Sequence, residues 1–224
     1  MSGHADSTSD GAAAAAAPRR RWWRRILLPA APDVLALLAA QGEHTVAALT
    51  AFDGWSNGGG HEAAAALHAA RDAAYQARRE LLQALQAALS TPVDQEDLYI
   101  LSERVDRVLN EARNALREAE VLNWKPDDHA GLMGAQLAEG TRALAVGFDL
   151  LREDQEAAGR QSDAAAEAVH HVEHDYREAM AALLKEDNLR AVLAAQDLYR
   201  RYLNVAELIV AVADRLWYIV LRGA

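Results

Sequence analysis

The stretch from Thr91 to Ala112 reads TPVDQEDLYILSERVDRVLNEA, and a loop, a helix cap and an apolar seam follow one another within it. Thr91 and Pro92 interrupt whatever helix precedes them. Asp94 occupies an N-cap position, and Glu96 and Asp97 put negative charge in the first turn, where the helix dipole favours it. Leu98, Leu101, Val105, Val108, Leu109, Ala112, Leu116 and Ala119 then recur three and four residues apart, an apolar stripe about seven turns long. A stripe of that length must face a core, so the chain is built from long helices that bury one side each.

Working outward, the same periodicity repeats. Asp33, after Pro32, is placed to cap a helix whose inner face is Leu35, Leu38, Val46, Leu49 and Phe52, ending before the SNGGG run at 56–60. A second helix runs from about residue 61 to 89 with Leu67, Ala74, Leu81 and Leu85 inside. The opening stretch supplies the third, which ends near Trp124 because Pro126 forbids a simple continuation. Leu137, Leu144 and Leu151, with Phe148 beside them, mark a fourth. Gly159 and Ser162 suggest a break, after which Val169, Val172, Tyr176, Ala179 and Leu183 mark a fifth. From about Asn188 to Arg222 the positions Tyr199, Leu203, Ala206, Val210, Ala213, Trp217 and Val220 alternate in a coiled-coil-like seam. No segment alternates as a strand does, and Glu207, Asp214 and Arg215 interrupt the best transmembrane candidate. The expected fold is all-α, an antiparallel bundle of five or six long helices.

Composition agrees. The chain has 224 residues, 51% of them apolar, with two Phe and thirteen Gly, the balance of a helical protein with one sizeable core. It has no Cys, which excludes disulfides and thiolate chemistry and leans the compartment toward the cytoplasm. Five Arg against Asp6 and Asp10 make residues 1–25 +3, which leaves −13 for the remainder of a chain at −10. An acidic body avoids nucleic acid, while a basic arm suits an anionic surface.

Three regions follow. Residues 1–18, with an Ala run and no apolar period, read as a disordered tail. Residues 19–32 form a basic arm in which Trp22 and Trp23 are set among Arg19, Arg20, Arg21, Arg24 and Arg25. This pattern suits a membrane interface, with Trp at headgroup depth and Arg on anionic lipid, and equally an arm folded back on the bundle. Pro29, Pro32 and Asp33 break the apolar run that would otherwise imitate a signal peptide. Residues 33–224 form the helical domain.

The loop Thr91-Pro92-X-Asp94-X-Glu96-Asp97 leading into its Leu- and Asp-bearing helix, the run Tyr176-Arg177-Glu178-Ala179, and the closing Glu207-to-Asp214 helix with its VADRLWYIVLRG ending carry a resemblance. From about residue 33 to 222 the chain resembles the PhoU-like proteins, specifically their Pit-accessory branch, long a family of unknown function whose members accompany low-affinity phosphate transporters. The resemblance implies two three-helix halves side by side. It also implies a non-enzymatic accessory role in inorganic phosphate uptake, docking on a Pit-type transporter or a phosphate-signalling protein, in the cytoplasm or peripheral at the inner membrane face.

Family members that hold metal use Glu/Asp-X-X-X-Asp pairs, since a four-residue step stacks two carboxylates on one helix face. Here those positions fall on Asp106 and Asn110, Val169 and Glu173, Leu203 and Glu207, Val210 and Asp214, and on Arg71 and Tyr75; none is complete. Clustered buried carboxylates repel unless a cation compensates them, so Val and Leu at these places suit a bundle without the full cluster. The single acids Asp106, Glu173, Glu207 and Asp214 are left as a reduced site for Fe, Mn, Mg or Zn, or as partners of Arg104, Arg177 and Arg215.

Two other classes are open. His170, Glu173 and His174 match the H-X-X-E-H spacing of inverted zinc peptidases, in which two His hold zinc and the Glu activates water, although fewer than sixty residues follow to supply a third ligand and a substrate framework. The last helix's seam is long enough to pair between chains in a structural homo-oligomer. No phosphate loop follows a strand, Gly58-Gly59-Gly60 lacks a following Lys-Ser/Thr, and no Ser-His-Asp set can be argued from spacing.

Overall fold

The computed structural model describes residues 32–223. The tail at 1–18 and the arm with Arg19, Arg20, Arg21, Trp22, Trp23, Arg24 and Arg25 lie outside the described residues. The rest is six helices and no strand among the described residues: α1 Val34–Ser56, α2 Gly60–Ala87, α3 Gln95–Leu122, α4 Asp128–Leu150, α5 Gln155–Leu183 and α6 Leu189–Gly223.

Local chemistry places the boundaries. Side-chain oxygens of Asp33, Asp94, Asp127 and Asp154 accept from backbone N–H groups at the starts of α1, α3, α4 and α5, at 2.8–3.1 Å. Asn188 Oδ1 does the same for Arg190 and Ala191 at the start of α6. Each cap satisfies a donor the helix cannot, which is worth about 1 kcal/mol. Helix α3 ends on Asn123 in the left-handed conformation (φ 50°, ψ 38°), a place where Asn is tolerated. Helix α2 instead follows glycines, with Gly58 and Gly60 at φ 88° and 55°.

Helices α1 and α4 pack on each other at the centre. Around them α2 covers α1, α5 covers α4, α6 lies between α5 and α3, and α3 closes on α1 and α2, which makes two three-helix halves, α1–α3 and α4–α6. The predicted stripe of α3 is buried throughout, as are Leu67, Ala74, Leu81 and Leu85 of α2 and Leu137, Leu144 and Phe148 of α4. Close helix approach relies on missing side chains: a Cβ on Gly42 would lie 2.8 Å from the Phe148 ring, and one on Gly140 would lie 2.8 Å from Val169 Cγ1. One buried polar pair bridges α1 and α3. Gln41 Nε2 donates to the Ser102 carbonyl (3.0 Å) while Ser102 Oγ donates to Gln41 Oε1 (2.6 Å).

The structure corrects four expectations. Gly159 and Ser162 do not break a helix; the break lies at 151–154, and both residues are buried inside α5, Gly159 beneath the Trp217 indole. Of the expected seam of α6, Tyr199, Ala206, Ala213 and Val220 are buried, but Leu203, Val210 and Trp217 are only half-buried, and the core also takes Leu198, Tyr202, Val205, Ile209, Val212, Leu216 and Ile219. A helix flanked by α3, α4 and α5 buries a broad stripe rather than a narrow seam, and that stripe is consumed within the chain. In α1, Val46 is half-buried, while Thr45 is buried and donates to the Gln41 carbonyl. Among the described residues, the helix that is long and apolar enough to cross a membrane by length and composition is α1, not α6, and 44% of its apolar window is buried inside this fold.

Candidate functional site

The loop at 91–94 and the first turn of α3 form a clasp on the far end of α6. Thr91 Oγ1 donates to the Val93 carbonyl (2.5 Å) and Asp94 caps α3. One turn in, Asp97 is buried at 3% exposure and receives Arg215 Nη2 at 2.5 Å and Arg222 Nη1 at 3.1 Å. Both guanidiniums also lie over the Tyr218 ring, at 4.8 and 5.6 Å. Arg104 donates to the Ala211 carbonyl. A polar cavity of about 140 Å³ opens beside the clasp, lined by Asp94, Asp97, Gln155 and Arg222 among others. Asp97 thus ties two segments far apart in sequence, beyond its expected role as a first-turn charge.

The α3–α6 boundary continues in charge. Arg201 reaches Glu118 (2.6 Å) and Glu111 (2.9 Å), and Asn204 also donates to Glu111. Burial, and then the neighbouring Asp197, hold the Glu118 carboxyl above its usual range against the pull of Arg201. At the other end of the bundle, Tyr199 donates to Asp127 and Tyr202 pairs with Ser56 at 2.7 Å; burial is the first cause that raises both phenols.

The positions implied for metal do not assemble. Asp106 accepts from Asn110 Nδ2 (3.0 Å), and Asn110 Oδ1 accepts from Arg71 Nη2 (3.2 Å), with Arg71 over the Tyr75 ring at 5.3 Å. The α2 and α3 positions therefore do meet, but a guanidinium stands where a cation would be needed. Val169 is core, packed at Gly140. Glu173 is exposed and paired with Arg177 (2.7 Å), while Glu207 and Asp214 are exposed on α6. Asp106, Glu173, Glu207 and Asp214 never come together as a group of three, so these residues do not fit a family-type metal cluster. Of the expected arginine partners, Arg177 serves Glu173; Arg104 and Arg215 turn instead to Ala211 and Asp97.

The histidine pattern fares similarly. His170 and His174 are exposed on α5, Glu173 is held by Arg177 rather than free to activate water, and His174 Nε2 lies 3.2 Å from Glu178 Oε1. No residue from another helix joins them in a ligand group among the described residues.

A cavity lies between the end of α2 and the start of α3. It measures about 300 Å³ and is lined by Leu82, Leu85, Gln86, Gln95, Glu96 and the 48%-exposed Tyr99. Sequence periodicity had no means to find it, because the cavity comes from the spacing between helices.

A crystal structure of a PhoU-like protein from Shewanella oneidensis MR-1, solved at 2.00 Å, is similar to this chain with a TM-score of 0.67. The sequences are 17% identical, and the match covers 84% of this chain and 99% of that one. The all-α bundle is thus the PhoU-like fold. No protein-family model and no curated protein matches the sequence.

Proposed function

We propose that this protein is a non-enzymatic accessory protein of inorganic phosphate uptake, of the Pit-accessory kind, which docks on a Pit-type phosphate transporter or a phosphate-signalling partner. The observation that carries the reading is the match of nearly the whole bundle, 99% of the other chain, to a PhoU-like protein. The loop motif at 91–98 supports it, since those residues form the clasp between α3 and α6. The protein works at the inner face of the membrane, with Trp22, Trp23 and the arginines around them as its contact with anionic lipid.

The test is phosphate uptake and association measured together. Radiolabelled phosphate uptake is compared in cells with and without the gene, and a tagged transporter is recovered from detergent extracts to ask whether this chain accompanies it. Altered uptake with co-recovery supports the reading; unchanged uptake and no co-recovery overturn it.

A further inference from the structure

The α3–α6 boundary ends in an apolar face. The two helices run antiparallel, with Arg215 on Asp97 at one end and Arg201 on Glu118 toward the other, where Glu118 also lies against Asp197. One turn beyond that acidic pair stand Leu122 on α3 and Leu193 on α6, since a four-residue step keeps a side chain on the same helix face. Leu189 follows a turn further along, at the start of α6, with Val121 beside Leu122 and Leu184 at the end of α5. These five side chains are from 43% to 89% exposed. Single exposed leucines are ordinary, whereas several on one face mark an interaction surface.

The charges on the same two segments, 120–125 and 184–193, narrow the partner. Lys125, Lys185 and Arg190 stand against Glu120, Glu186 and Asp187, so this face is neutral on a body at −13. All six are exposed, and none makes an ion pair within the chain among the described residues. Elsewhere α3 and α5 close such pairs over one turn, as in Arg107 with Glu103 and Arg177 with Glu173. Glu186 has Arg190 one turn ahead of it, yet its Oε1 accepts from the Asn188 N–H at 2.9 Å instead.

We propose that this face pairs with the same face of a second copy of the chain in a closed two-fold dimer. Two bodies at −13 repel each other, and a neutral apolar face is where that repulsion costs least. A two-fold contact needs a surface complementary to itself, because every pairing occurs twice. Here leucines meet leucines across the axis, and Arg190 of each copy stands opposite Asp187 of the other, which uses the charges of both signs that the chain leaves unpaired. An anionic membrane is a poorer match, since three carboxylates stand among the leucines. The surface is not the α6 seam expected from the sequence, which the fold consumes within one chain, and it does not rest on the phosphate-uptake reading.

The test is sedimentation velocity of the full chain over about 1–200 μM, the range in which a small interface dissociates. The expected result is a mass that rises from one copy to two and stops there. Leu189→Ser/Leu193→Ser changes only exposed side chains and should raise the dissociation constant at least about tenfold, with the helical circular dichroism unchanged. Arg190→Glu and Asp187→Arg should each weaken self-association, and an equimolar mixture of the two should recover the dimer, because both cross-axis contacts are then attractive again. Recovery in the mixture is a result that a misfolded variant cannot give. A monomer over the whole range, growth beyond two copies, or a dimer that both the leucine and the charge variants leave intact overturns the proposal.

Discussion

Arg215 Nη2 meets the Asp97 carboxylate at 2.5 Å across 118 residues of sequence, with side-chain exposures of 17% and 4%. The pair joins the first turn of α3, just after the loop at 91–94, to the last third of α6. It therefore closes one half of the bundle on the other at the place where the sequence is most distinctive. Arg222 adds a second, half-exposed contact to the same carboxylate.

Asp97→Ala should destabilise the fold by about 3 kcal/mol, because it leaves the nearly buried Arg215 charge without a counter-ion. Arg222→Ala should cost less than about 1 kcal/mol, since that guanidinium is half-exposed and screened. Urea unfolding followed by circular dichroism measures both. Equal losses would mean that Asp97 does not act through Arg215.

The glycines separate packing from helix propensity. Gly140→Ala places a methyl 2.8 Å from Val169 Cγ1 and 3.2 Å from the Ala165 carbonyl, and should cost about 1–3 kcal/mol. Gly54→Ala meets nothing nearer than Ala63 Cβ at 3.9 Å and should gain about 0.5–1 kcal/mol from the stiffer unfolded chain. Thermal melts of the two variants should move in opposite directions; a shared direction would contradict the assigned packing.

What was legible in the sequence was what local chemistry decides. Asp33 and Asp94 cap helices because a short acceptor needs no tertiary context, and the α3 stripe declares its face because polar residues fill the other side. Helix α6 does not, since apolar residues stand on several of its faces and periodicity alone cannot distinguish Tyr202 and Val205 from Leu203. Gly159 has two meanings, break or contact, and only the Trp217 ring above it selects the second. Distance in sequence hid the rest. Nothing local points Asp97 to Arg215, Arg71 to Asn110 or Gln136 to Asp175, and the eye is drawn instead to the H-X-X-E-H spacing.

Stability should depend on pH through Glu118. Burial and Asp197 raise its folded pKa, so the native state keeps the proton to higher pH than the unfolded chain does. Its contribution is full below the unfolded value and is lost as pH rises through the folded one. Asp197→Asn removes the like charge and leaves the Arg201 pair. Its urea midpoint should therefore gain on the unmodified protein as pH rises from about 4 to 7. A difference that is constant over that range would count against the coupling. Asp33 has the opposite sign: Arg152 lowers its pKa, so its contribution fades on acidification.

The remaining prediction concerns the basic arm. With −13 on residues 26–224, the body is repelled by anionic lipid, so association with such a membrane must come from the +3 of residues 1–25 and from Trp22 and Trp23. Sedimentation with anionic vesicles should carry down the full chain and not one lacking residues 1–28, and salt should weaken the binding as it screens the arginines. Replacing Trp22 and Trp23 by Ser while keeping the charge should reduce binding without abolishing its salt dependence. Undiminished sedimentation after the deletion would remove the arm from the mechanism and leave the helical bundle as the only contact with the membrane.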